Sequence, residues 1–231
     1  MLALCHRWLS SISQGVLRLL LPLTCLVCNE PGHDDLDLCH ACLADLPWAG
    51  HACLRCALPL PEGALPVCGS CRDEPPPQSA THASFLYLPP VDQLLRRYKF
   101  HQDLAAGRLL AQLMQRAPPP WCCLPLAPVP LHDRRLCQRG YNQAAELCRQ
   151  LRLTTWRGLY RRRYTAPQSE RSAEQRRSNL FDAFAVRGAV PPRLTLVDDV
   201  MTTGSTVVEI ADTLRLVGAD EVRVWVCARV P

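Results

Sequence analysis

The sequence predicts an α/β protein, a parallel-sheet domain over residues 80–231 behind a small Cys-rich module over 25–74. Two observations carry this. Near the C-terminus, Leu194 and Leu196 read as a buried strand, Val207, Ile210, Ala211, Leu214 and Val217 share one helical face, Gly218 is a helix stop, and Val222 to Val226 alternates as another strand. A strand–helix–strand unit of this kind joins parallel strands, with a right-handed crossover. Towards the N-terminus, eight of the 14 cysteines fall in four Cys-x-x-Cys pairs.

Taken in order, residues 1–24 carry a Leu-rich patch, Val16 to Leu23, broken by Arg18 and Pro22. The patch is too short for a membrane span and lacks the basic n-region, long apolar core and small-residue cleavage site of a secretory signal. It reads as a helix that covers the metal module or docks on the main domain. The cysteine pairs follow: Cys25/Cys28, Cys39/Cys42, Cys53/Cys56 and Cys68/Cys71, with ten residues between Cys28 and Cys39 and eleven between Cys56 and Cys68. Two residues between thiolates let both reach one ion from a tight knuckle, and four thiolates complete a tetrahedral zinc site. Two structural Zn²⁺ ions held by these eight cysteines are expected. The repeat of about 28 residues from Cys25 to Cys53 is compatible with tandem sites and with interleaved ones that share the first and third pairs. Thiolate metal sites belong to a reducing compartment, so a cytoplasmic location is expected. Cys122, Cys123, Cys137, Cys148 and Cys227 read as core or incidental residues.

Pro75 to Pro77 mark a linker. Ala83 to Leu88 reads as a strand, Val91, Leu94, Leu95 and Tyr98 have helical spacing, and a second helix runs near Leu104 to Met114. Leu126 to Leu131 reads as a strand interrupted by prolines, and Asn142 to Leu151 as a helix with Ala144, Leu147, Cys148 and Leu151 on one face. Strands alternating with helices indicate the α/β class.

The chemistry concentrates between Leu194 and Thr206. An apolar run ends in Asp198 and Asp199, and the hydroxyl-rich loop Thr202, Thr203, Gly204, Ser205, Thr206 leads into a helix. The loop can aim N–H groups and hydroxyls at a phosphate, because a helix N-terminus carries unpaired donors and partial positive charge. The carboxylates can hold ribose hydroxyls or Mg²⁺, which favours hard oxygen ligands. No Gly-x-x-x-x-Gly-Lys-Ser/Thr occurs, so this is not a P-loop. The chain of 231 residues carries net charge +5, with Lys99 its single lysine. Twelve arginines against three acidic residues lie between Arg134 and Arg177. The stretch Arg161 to Asn179 has too few apolar residues to bury a core and reads as an exposed, mobile loop. Such a loop can close over pyrophosphate or hold a nucleic-acid backbone. Arg134, Arg135, Arg139, Arg161, Arg162, Arg163 and Arg177 are the candidate anion-binding residues.

The segment of the acidic pair resembles the phosphoribosyl pyrophosphate (PRPP) motif of type I phosphoribosyltransferases. The whole chain resembles the ComF family of competence-associated proteins, through its Cys-x-x-Cys series, Tyr98-Lys99-Phe100, Val129-Pro130-Leu131, Arg139-Gly140-Tyr141-Asn142-Gln143-Ala144, and Arg163, Thr165, Gln168, Arg177 and Asn179. The resemblance implies a double zinc ribbon followed by a type I phosphoribosyltransferase-like domain. Asp198 and Asp199 would then meet the ribose hydroxyls, and Thr202 to Thr206 would wrap the 5-phosphate, with Mg²⁺ bound alongside PRPP. It further implies a role in natural transformation or in use of imported DNA, with single-stranded DNA, a PRPP-like ligand and DNA-uptake proteins as partners. The alternative is an active PRPP-dependent phosphoribosyltransferase of nucleotide metabolism, a pentosyl glycosyltransferase in which the arginines stabilise departing pyrophosphate. No catalytic or base-recognising residue stands out in the sequence.

Overall fold

The computed structural model describes residues 22–122, 124–162 and 183–231. The expected N-terminal helix falls on residues almost all outside these, and Arg163 and Arg177 lie outside them too. The chain divides into two compact units, Met1–Leu46 and Pro47–Pro231.

In the first unit a tight knuckle carries Cys25 and Cys28. Cys25 N–H donates to the Glu30 carbonyl (2.7 Å) and Asn29 N–H returns to the Cys25 carbonyl (2.9 Å). A short helix, α1 (His40–Ala44), is capped by the Cys39 sulfur, which accepts from Cys42 N–H. The second unit begins with the same device. Cys53 N–H donates to the Leu58 carbonyl and Ala57 N–H to the Cys53 carbonyl, both at 2.8 Å. Asn29 and Ala57 hold the matching left-handed position, φ 66 and 54°. Helix α2 (Gly69–Asp73) then starts after Cys68. The 28-residue sequence repeat is thus a repeat of hydrogen bonding.

The sheet follows. Its strands are β1 (Ala80–Leu86), β2 (Leu126–Pro128), β5 (Arg193–Met201) and β6 (Glu221–Arg229), in the order β1-β6-β5-β2 and all parallel. The central strands β5 and β6 are buried on both faces, which is why they read as near-continuous apolar runs. Helix α7 (Ser205–Leu216) buries Val207, Ile210, Ala211 and Leu214 in one cluster with Leu194, Leu196, Val222, Val224 and Val226. Helices α3 (Val91–Phe100), α4 (Leu104–Arg116) and α6 (Gln143–Leu151) pack in sequence, α4 reaching β6 and α6 reaching β5. Apart from the sheet, β3 (Leu159–Arg161) and β4 (Phe184–Val186) form an antiparallel pair at either side of residues 163–182.

Edge strand β1 is covered by the start of the second unit. Leu86 N–H donates to the Pro47 carbonyl (2.8 Å), Ala49 N–H to Ser84 (3.0 Å), and Thr81 N–H to Leu54 (2.8 Å). The Thr81 hydroxyl donates to the Arg55 carbonyl at 2.7 Å, and the rings of Trp48 and Phe85 lie 4.6 Å apart. An open edge is a template for unwanted pairing, and this segment closes it.

Some elements differ from the sequence reading. Strand β1 starts at Ala80 and stops at Leu86, because pairing with β6 sets its length; Leu88 is exposed. Only Leu126–Pro128 forms a strand, since Pro128 and Pro130 offer no N–H to the ladder. Val217 follows the end of α7 and is exposed, with Gly218 at φ 106° turning the chain. Helix α5 (Asp133–Arg139) was not expected: it buries no residue, so it leaves no apolar period to read.

The α7 face should dominate stability. Ile210 is fully buried, so Ile210→Ala should lower the unfolding free energy by about 2–5 kcal/mol, measured by urea denaturation at unchanged m-value.

Candidate functional site

Four sulfurs converge in each knuckle pair. Cys25, Cys28, Cys39 and Cys42 form one set and Cys53, Cys56, Cys68 and Cys71 the other, with the ligand atoms of each set within 4.8 Å of one another. The sites are therefore tandem, which the spacing left open. Cys28 and Cys39 sulfurs are 3.6 Å apart, Cys56 and Cys68 sulfurs 3.8 Å. A tetrahedral ion with Zn–S bonds of about 2.3 Å needs sulfurs about 3.8 Å apart, so both sets fit structural zinc. The thiols divide their charge unequally. Burial opposes ionisation of Cys25, yet N–H groups of Cys28, Cys39 and Val27 hold its thiol down at about 6. Burial is likewise outweighed at Cys53, held at about 7 by N–H groups of Cys68, Arg55 and Cys56. Burial and the neighbouring thiols push Cys42 and Cys71 up. One thiolate forms readily in each set, and a divalent cation supplies what the rest need.

The acidic pair sits where β5 leaves the sheet. Successive strand residues face opposite ways, and the two carboxylates part accordingly. Asp198 lines an open cleft with Val200, Met201 and Thr202 to Val207; its empty space, solvent mouth included, is about 310 Å³. Asp199 is 6% exposed and pairs with Lys99 of α3, Nζ to Oδ2 3.1 Å. Burial, then the adjacent Asp199 charge, raises the Asp198 carboxyl to about 8.

The loop beyond is shaped by one glycine. Gly204 caps α7 in the left-handed region, φ 80°, and a Cβ there would meet Met201 Cε at 2.6 Å. Only glycine turns the chain so tightly into the helix. The Thr203 hydroxyl oxygen lies 2.8 Å from that of Ser205, and Ser205 N–H points at Thr203 Oγ1 (3.4 Å). The first-turn N–H groups of α7 have no intrahelical acceptor and border the cleft. Asp198, Thr202, Thr203, Gly204, Ser205 and Thr206 are thus brought to one cleft.

Arginines approach the same carboxylates. Arg139 ends α5; Gly140, at φ 80°, turns the chain to Asn142, whose side chain caps α6 through Ala145 N–H and donates to the Val129 carbonyl at 3.0 Å. Arg139 donates to Gln143 Oε1 (3.2 Å) and lies 5.6 Å over the Phe100 ring. Burial lowers its pKa, while Asp199 and Asp198 act the other way. Arg161, whose pKa burial also lowers, stands 5.1 Å over Phe184 and feels Arg135, Glu209 and Asp198. Arg134 and Arg162 are exposed. The sequence reading passed over Lys99 as a partner of the pair; its being the only lysine was the available signal.

The chain is 36% identical over 230 residues to the DNA utilization protein YhgH of Salmonella typhi, covering 91% of this chain and 99% of that one. The chain belongs to the ComF family. Competence protein F of Haemophilus influenzae is 35% identical, covering 83% of this chain and 90% of its own. A double zinc ribbon domain matches residues 16–72. A hypoxanthine-guanine phosphoribosyltransferase from Bacillus anthracis superposes with a TM-score of 0.35 at 13% identity, covering 62% of this chain and 73% of that one. With the family in place, the α/β fold behind a ribbon module stands as the sequence reading had it. No helix among the described residues is long and apolar enough to cross a membrane.

Elemental analysis should find two zinc ions per chain. Cys68→Ser should lose one of them and unfold its knuckle, since structural zinc supplies on the order of 10 kcal/mol of folding free energy. The raised Asp198 carboxyl has a definite sign. The folded state keeps a proton that the unfolded chain releases near pH 4, so stability falls as pH rises from there through about 8. Differential scanning fluorimetry of ligand-free protein should show this decline between pH 6 and 8, and Asp198→Asn should flatten it.

Proposed function

We propose that this chain is a DNA-handling protein whose cleft at the end of β5 takes a PRPP-like sugar phosphate with Mg²⁺. The supporting observation is the convergence of Asp198 and the Thr202–Thr206 loop on one cleft, with half-buried Arg139 and Arg161 near enough to act on Asp198 through space. Arg139 and Arg161 each feel the charge of Arg135, and positive charge gathered in this way suits a polyanion. Loop and helix N-terminus would take the 5-phosphate, and Asp198 a ribose hydroxyl, with Asp199 held behind it by Lys99. Mg²⁺ would sit on the Asp198 carboxylate and neutralise the diphosphate. The Arg-rich segment, with Arg134 and Arg162 on the exposed side, would follow a strand of DNA, which fits the names of the relatives. A cytoplasmic location and contact with DNA-uptake proteins belong to the same reading.

A second reading keeps the pocket and adds chemistry, transfer of the phosphoribosyl group with loss of pyrophosphate. The arginine cluster beside Asp198 favours it, because positive charge there would stabilise the leaving group. Pyrophosphate release in the presence of PRPP–Mg²⁺ and nucleobases separates the two.

Asp198→Asn keeps the shape of the carboxyl and removes its ability to ionise against a metal ion. It should weaken PRPP–Mg²⁺ about tenfold or more in calorimetry, about 1.4 kcal/mol. Unchanged affinity removes Asp198 from the site, and a wild-type protein that binds no PRPP–Mg²⁺ removes the pocket reading. Fluorescence anisotropy with single-stranded DNA should show log K falling with log salt by about 0.7 per phosphate contacted, and replacing Arg134, Arg161 and Arg162 together by Ala should flatten that slope by about two units. No salt-dependent binding to DNA would sink the DNA reading.

A further inference from the structure

Arg229, the last residue of β6, is 8% exposed. A buried guanidinium needs acceptors for its fixed fork of donors and a countercharge. Its acceptors here are backbone carbonyls of two distant segments. Nε donates to the Cys56 carbonyl of the second knuckle at 3.0 Å. Nη1 donates to the Met201 carbonyl at 3.4 Å and to that of Val230. The opposite charges acting on it are the thiols of Cys56, Cys68 and Cys53. Four thiolates around a divalent cation leave a net charge of about −2, so the loaded second site is the countercharge this arginine requires.

Met201 is where the phosphate loop starts. Its carbonyl also accepts from Val230 N–H at 3.0 Å. Its methyl stands where any Cβ at position 204 would go. A shift of Met201 is therefore a shift of the turn at Gly204 and of the first N–H groups of α7.

We infer that Arg229 is a positioning residue for the phosphate loop, joining it to the second Cys₄ site so that metal loading and anion binding support each other. The inference rests on the pocket reading proposed above. Arginine suits the role because one planar fork reaches two carbonyls in different directions, which an ammonium does not. Coupling of this kind is reciprocal, so a ligand in the cleft must in turn hold the metal.

The test uses the full zinc-loaded chain. A chromogenic zinc chelator is added with and without PRPP–Mg²⁺, and hydrogen exchange is followed across 201–207. In the wild type, one of the two zinc ions should leave about threefold to tenfold more slowly when PRPP–Mg²⁺ is present. The other, in the separate compact unit, is the internal control. Arg229→Lys should still copurify with two zinc ions, bind PRPP–Mg²⁺ about fivefold more weakly, lose the protection of that zinc, and exchange faster at 201–207. Equal protection in Arg229→Lys and wild type overturns the inference, as does a wild type that binds PRPP–Mg²⁺ yet protects neither ion. If the wild type binds no PRPP–Mg²⁺, the pocket reading fails on its own. Exchange then decides: faster exchange in Arg229→Lys supports the positioning role and unchanged exchange ends it. Should Arg229→Lys not fold, the wild-type arm decides: slower loss of one zinc with PRPP–Mg²⁺ supports the inference, and equal loss with and without it ends it.

Discussion

Two ionisable carboxylates on consecutive residues of a buried strand are expensive to keep, and the sheet domain is arranged around them. Charges this close repel and lose hydration. The alternation of the strand separates them. Asp199 turns inward to the only lysine, and Asp198 turns to the cleft, where no basic side chain forms a hydrogen-bonded ion pair with it among the described residues. Arg139 and Arg161 stand near enough to act on Asp198 through space. An apolar or amide side chain at 198 would be cheaper for folding alone. A raised carboxyl in a cleft beside a helix N-terminus is what supports the pocket proposed above.

The second knuckle belongs to the sheet domain in every physical sense. Ala57 lies in the cluster that includes Leu196 and Ile210, and Cys56 and Ala49 pack against it. The segment from Pro47 to Arg55 takes the hydrogen bonds that edge strand β1 has left over. A motif that reads as one Cys-rich module in sequence is split by packing after Leu46. The second metal site stands as a side wall of the fold that carries the cleft.

Much of this was legible beforehand, for particular reasons. The strand, acidic pair, loop and helix from Leu194 to Leu216 are local and periodic, so spacing alone predicts them. The cysteine pairs give ligand identity, because two residues between thiolates leave one geometry. Pairing between knuckles was not legible: tandem and interleaved sites share the same spacings, and only the backbone decides. The partners of Lys99 and Arg229 were harder to read for another reason. Each lies far along the chain from what it touches, Asp199 in one case, Cys56 and Met201 in the other. Helix α5 was missed because it buries nothing, yet it delivers Arg139.

The strand order bears on how the chain is made. Among the described strands, β1 leaves the ribosome first, and the strand it pairs with in the sheet, β6, comes last. Until β6 emerges, β1 lacks the parallel partner it has in the folded sheet. Each Cys₄ set, in contrast, is complete within its own short stretch, Cys25 to Cys42 and Cys53 to Cys71, before β1 is synthesised. Metal can therefore set the second knuckle early, ready to shield one side of β1 while most of the protein is still unmade. During translation, when exposed strand edges invite aggregation, zinc supply becomes a determinant of yield as well as of stability.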